Sequence, residues 1–96
     1  MIVHIVMFKF KDENKSSNIA EVTKRLNALP ELVPSLNSME VGINFTVSQR
    51  AFDLSLYATF QTKEDLDAYA IHPEHIKVVE FIKDVTLESK IVDYIL

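Results

Sequence analysis

The chain has 96 residues, 10 Lys and Arg against 14 Asp and Glu for a formal charge of −4, 48% apolar residues, and no Cys or Trp. That is material for one domain over 1–96; the acidic balance argues against nucleic acid as a partner, and the missing cysteines exclude disulfides, thiol nucleophiles and thiolate zinc sites. No apolar run approaches the roughly 20 residues that cross a bilayer and the start lacks the basic and cleavable features of a leader, so the expected location is the cytoplasm, away from membranes.

Residues 2–10 are apolar on both parities, Ile2, Val6, Phe8 and Phe10 with His4 on one side and Val3, Ile5 and Met7 on the other, which predicts a strand covered on both faces. After a polar link at 11–17, Ile19, Val22, Leu26 and Leu29 recur at helical steps. Asn18 and Glu21 read as a capping box at the start of that helix, and Pro30 and Pro34 end it or tighten its last turn. Residues 39–47 and 52–60 alternate strictly, with Met39, Val41, Ile43, Phe45 and Val47 on one face of the first and Leu54, Leu56, Ala58 and Phe60 on one face of the second. The short link Ser48-Gln49-Arg50 makes the two a hairpin. Thr62 and Asp65 cap a second helix bearing Leu66 and Tyr69; it breaks at His72-Pro73 and resumes from Glu74 with Val78, Val79, Ile82 and Val85 inward. Residues 89–95 form the last strand.

The order β-α-β-β-α-β is the ferredoxin-like α+β arrangement, a four-stranded antiparallel sheet with its helices on one face. The other face is then bare. Val3, Ile5, Met7 and Tyr57 would occupy it, and the chain ends in Tyr94-Ile95-Leu96, so a homodimer joined sheet to sheet is expected to cover the patch. A bulge that slipped the strand parity would instead make this face more polar.

Function has few carriers. The single glycine, Gly42, cannot build a phosphate-cradling loop, and no cofactor is expected. Tyr69 and His75 fall on the inward stripes of their helices, and His4 shares the parity of Val6 and Phe8. With Leu26, Leu54, Leu56 and Val78 around them, two imidazoles and a phenol would converge in an apolar layer, the composition of a small-molecule pocket. Each has a plainer reading. His4 can be a core histidine bonded to a backbone carbonyl, His72 an N-cap-like residue beside Pro73, and Tyr69 a core ring with its hydroxyl at the rim. His75, with a reference pKa of about 6.5, is a competent base at neutral pH. His72 and His75 with Glu74 resemble a metal clip, but no third ligand follows at helical spacing, and no metal is expected. No serine sits in a G-x-S-x-G turn and no buried carboxylate is evident to orient a histidine, which argues against a nucleophilic triad. Lys9, Lys11 and Lys15, interleaved with Asp12 and Glu13, read as a solvated strand end.

The opening strand, of the type His-x-x-x-x-Lys-x-Lys from His4 to Lys11, Met39-Glu40-Val41-Gly42, the run Tyr69-Ala70-Ile71-His72-Pro73-Glu74-His75, and Val92-Asp93-Tyr94 resemble the stress-responsive A/B-barrel domain, Dabb, over the whole chain. The resemblance implies a dimeric α+β barrel of two sheets packed face to face, with a cavity in each protomer between sheet and helices. A plant cyclase of that family closes a poly-β-keto thioester by an intramolecular aldol step without a cofactor. Tyr69 and His75 match the positions that bind and deprotonate its substrate, and His4 matches a pocket histidine. Thr23, Leu54 and Val79 stand where the cyclase has an aromatic, a histidine and a glycine, so a cavity of different shape is implied. The reading that follows is a homodimeric stress-response-type protein holding a small, partly apolar molecule. Its alternative is a cofactor-free lyase, cyclase or isomerase with His75 as general base and Tyr69 as hydrogen-bond donor, and a third is an assembly subunit with a vestigial pocket.

Overall fold

The doubly apolar first strand takes an interior place in the sheet. In this computed structural model, which describes all 96 residues, β1 (Ile2–Phe10) lies between β3 (Leu54–Phe60) and β4 (Thr86–Ile95), with β2 (Ser38–Ile43) outside β3. All three pairings are antiparallel. Helices α1 (Lys15–Leu32), α2 (Lys63–Ile71) and α3 (Pro73–Val85) cover one face. This is the expected ferredoxin-like order, with the second helix divided in two at His72-Pro73.

The helix-covered face holds Ile2, Val6, Phe8 and Phe10 of β1 against Leu54, Leu56, Ala58 and Phe60 of β3, packed on Val22, Leu26, Leu29, Val78 and Ile82. Side chains directly opposite across an antiparallel pair share a face, so the register Ile2↔Phe60 to Phe8↔Leu54 fixes which residues meet. A register shift does occur in the β1–β4 pair, but only between Lys9 and Phe10. The parity of the preceding residues is therefore unslipped. The opposite face is open, with Met7 42% and Val92 51% exposed beside Tyr57 and Tyr94. Val3, expected on that bare face, is fully buried within the single chain; its cross-strand neighbours Thr59 and Tyr94 flank it on either side.

Local signals depart from the sequence reading at three places. Helix α1 starts at Lys15 behind Asn14, which adopts φ 53°, ψ 31°. Asn18 caps nothing: it already lies inside the helix, its N–H donates to the Asn14 carbonyl at 2.9 Å, and its side-chain amide reaches back to the Glu13 carbonyl at 3.4 Å. Pro30 is accommodated within the last turn, and the helix ends at Val33, whose N–H donates to the Leu29 carbonyl at 2.9 Å. The β2–β3 hairpin is shorter in its strands and longer in its loop than expected, and Phe45, 96% exposed, and Val47 point into solvent. Here the Asn44 amide turns onto its own backbone, accepting from the Thr46 N–H at 3.1 Å and donating to the Thr46 carbonyl at 2.7 Å, which ends the ladder. Finally, β4 begins at Thr86 directly after α3, three residues earlier than the apolar pattern shows, because Thr86 and Glu88 are held by pairing with Phe10 and Lys9 of β1 rather than by burial, with Leu87 the unpaired residue at the register shift.

Asp53 ties the loop to the core. Its N–H donates to the Phe8 carbonyl at 2.8 Å, its carboxylate accepts the Phe10 N–H at 2.8 Å, and Lys15 Nζ lies 3.6 Å from the same group. Removing the carboxylate in Asp53→Ala would strand the Phe10 N–H in a part-buried place. The expected loss is about 1–3 kcal/mol of stability, read as a lower denaturant midpoint with an unchanged m-value.

Candidate functional site

Four aromatic side chains meet under α2. Thr62 starts that helix by accepting the Asp65 N–H at 3.1 Å on its hydroxyl, which sets Leu66 and then Tyr69 toward the sheet. Tyr69 is 1% exposed. Its ring lies 5.1 Å from that of Phe60, 6.2 Å from that of His4, and 4.0 Å from that of His75 at an interplanar angle of 35°. The sequence reading thus places His4, Tyr69 and His75 together, and the structure does bring them together, in a stack rather than as a ring of converging polar tips.

His72 organises the corner. It terminates α2, its N–H donating to the Tyr69 carbonyl at 3.1 Å, and it starts α3, its Nδ1 accepting the Glu74 N–H at 3.1 Å. The N-cap-like reading of His72 is the observed one. That geometry sends His75 back across the corner, with its Nδ1 3.2 Å from the Ala70 carbonyl. A carbonyl only accepts, so His75 carries its proton on Nδ1 and leaves Nε2 with a lone pair. Burial is the main cause lowering the His75 pKa; the neighbouring His4 and His72 add to it, and the Ala70 hydrogen bond opposes it. The imidazole is therefore neutral at neutral pH. Burial also pushes the Tyr69 phenol up, so it stays protonated, yet its hydroxyl finds no hydrogen-bond partner in the protein.

A fourth polar group was missed by the sequence reading. Asp93 sits opposite His4 in the β1–β4 register, and its Oδ1 lies 2.5 Å from His4 Nδ1. The two residues are 89 positions apart, so no local spacing announces the pair; the one signal was a carboxylate inside the otherwise apolar Ile91-Val92-Asp93-Tyr94. This carboxylate, half-exposed rather than buried, is the group that orients His4 in place of a backbone carbonyl.

The residues expected to line a pocket, Val6, Phe8, Leu26, Leu54, Leu56 and Val78, are all buried members of one contiguous core. Large apolar side chains fill the layer between sheet and helices. Open space adjoins the cluster on its β4 side, in a groove of about 520 Å³ where Leu66 of α2 faces Ile2, Asp93 and Tyr94. No group of three or more His, Asp or Glu side chains is placed to hold a metal ion, and no helix is long and apolar enough to cross a membrane.

Fold and site together define a ferredoxin-like α+β domain with two imidazoles and a phenol on its helix-covered side and an apolar sheet on the other. The chain belongs to the stress responsive A/B barrel domain family, Dabb, whose model matches residues 2–96. It is 39% identical over 80 residues to a stress-response A/B barrel domain-containing protein of Arabidopsis thaliana, covering 83% of this chain and 30% of that protein. With a second Arabidopsis protein of the same description, DABB1, it shares 32% identity over 98 residues, 99% of this chain and 47% of the relative. The chain thus spans less than half the length of these two relatives. Olivetolic acid cyclase of Cannabis sativa is 24% identical over 95 residues, 97% of this chain and 94% of the cyclase. Among solved structures, a dimeric protein of unknown function and ferredoxin-like fold from Bacteroides fragilis superposes with a TM-score of 0.89 at 28% identity, over 99% of this chain and 95% of its own.

The lowered His75 pKa has a consequence for stability. The unfolded chain takes up a proton near the ordinary value of about 6.5, whereas the folded chain resists it. Stability from the neutral, half-buried imidazole is full above that value and falls as the pH drops through it toward the folded value. Replacing His75 with Gln should flatten the decline of Tm between about pH 6.5 and the lower folded value, compared with the parent chain in the same buffers.

Proposed function

We propose that this protein is a homodimer joined sheet to sheet, and that each copy binds a small, partly apolar molecule at His4, Tyr69 and His75. The observation that carries the binding reading is the Tyr69 hydroxyl, enclosed and without a partner, on a ring that lies against two imidazoles. Burying an unsatisfied hydroxyl costs about 1–3 kcal/mol, and a ligand's acceptor oxygen would recover it. The dimer is supported by the exposed apolar sheet face and by the dimeric state of the Bacteroides fragilis relative. A patch of this kind on a lone domain invites association. Native mass spectrometry of the purified protein should show a dimer with a retained small molecule. Folding and association should also be one event, so Tm should rise with protein concentration; a folded species of 11.0 kDa in light scattering at micromolar concentration would refute the dimer.

A second reading is favoured by one feature, the tautomer of His75. With Nδ1 committed to the Ala70 carbonyl, Nε2 of a neutral imidazole is a free base, and Tyr69 beside it is a protonated donor. That pair suits a cofactor-free cyclase, lyase or isomerase, in which His75 removes a proton next to a carbonyl and Tyr69 donates to the enolate oxygen that develops. The cyclase name of the Cannabis relative supports a ring-closing reaction, while Leu54, Thr23 and Val79 argue for a differently shaped substrate. With small β-keto thioesters, His75→Ala should lower turnover by roughly 10²–10⁴ and Tyr69→Phe by less, since the ring remains. Equal turnover by His75→Ala and the parent chain would remove His75 from the chemistry.

A further inference from the structure

The layer around Tyr69 is packed, so a molecule reaching its hydroxyl needs an element to move. The three helices are unequally held. Helix α1 buries Val22, Leu26 and Leu29 and α3 buries Val78 and Ile82, whereas α2 buries Tyr69 alone. Tyr69 is itself a compromised anchor, because desolvating its unpartnered hydroxyl offsets part of what burying the ring contributes. Leu66 packs on the core only partly buried, and a further hold on α2 comes from one side chain of α3: His75 stacks on Tyr69 and bonds the Ala70 carbonyl. Between the two helices stands a single extended residue, His72, at φ −65° and ψ 133°, whose ring is fastened to α3 through the Glu74 N–H. On its far side α2 overhangs the groove of about 520 Å³ against β1 and β4 instead of packing flush on them.

We propose that α2 is a lid, turning on His72 and latched by His75, that holds Tyr69 down over His4 and Phe60. Opening carries the Tyr69 ring out of the layer and joins the cluster to the groove. Closing over a molecule with an acceptor oxygen gives the hydroxyl its missing partner, so occupancy favours the shut state. What enters depends on the ligand-binding reading above; the motion is a property of the unliganded chain.

Native-state hydrogen exchange on the unliganded protein tests this. The amides of 65–71 should exchange through a local opening at least about ten times faster than those of β1, which report global unfolding. Tyr69→Phe keeps the ring and removes the stranded hydroxyl, so α2 should open about tenfold less often. His75→Ala, which removes the latch, should make α2 open several-fold more often relative to β1. The proposal is overturned if α2 exchanges together with β1, or if Tyr69→Phe leaves its exchange unchanged or faster. A ligand search that finds nothing would overturn the binding reading and leave the exchange result standing.

Discussion

The register of β1 is the constraint on which the rest of this molecule depends. Its even positions build the core with β3, its odd positions build the apolar sheet face, and His4 falls among the even ones. A slip of one residue would exchange the two sets, sending His4 to the bare face and Ile5 under Tyr69. The β4 pairing depends on the same register, and with it the meeting of His4 and Asp93. Nine residues of strand thus fix a core, an open apolar face and the place of His4 at once.

The two imidazoles of that site are held in different ways. His4 faces a carboxylate that is partly open to water, while His75 faces a neutral carbonyl and the flat side of a phenol. A charge on His4 has a counter-ion within hydrogen-bond reach, and a charge on His75 has none. Groups of one type in such unequal surroundings are suited to unequal tasks. The phenol beside them is kept neutral by burial, so the cluster combines a protonated phenol, a neutral imidazole and a histidine paired with a carboxylate.

The element order, the helix break at His72-Pro73 and the convergence of His4, Tyr69 and His75 were legible because each rests on local pattern: apolar parity in β1, Thr62 and Asp65 at a helix start, Pro after His at another. Where the reading failed, competing local signals or distant partners decided. Phe45 and Val47 continue the alternation of β2 perfectly, yet alternation reports only that a side chain could be buried, and nothing in the chain covers them. Asn18 and Glu21 have the spacing of a cap, but Asn14 takes the left-handed turn one helical turn earlier. Asp93 could not be assigned to His4 without the strand order, which brings together residues from opposite ends of the chain. The expected lining residues were correctly placed on the inward faces; that they would fill the layer rather than surround a space depends on how their volumes add, which no periodicity encodes.

The shared cap at His72 bears on how this segment can change through descent. Tyr69 and His75 meet because one residue ends α2 and begins α3, with Ala70 and Ile71 completing the last turn of α2 and Pro73-Glu74 opening the first turn of α3. One inserted residue on either side would rotate the following side chains by about 100° and separate the two rings. Substitution is far less restricted, since Ala70 is used through its carbonyl and Ile71 is 74% exposed. From Tyr69 to His75, chain length is therefore held more strictly than most of the residue identities it counts.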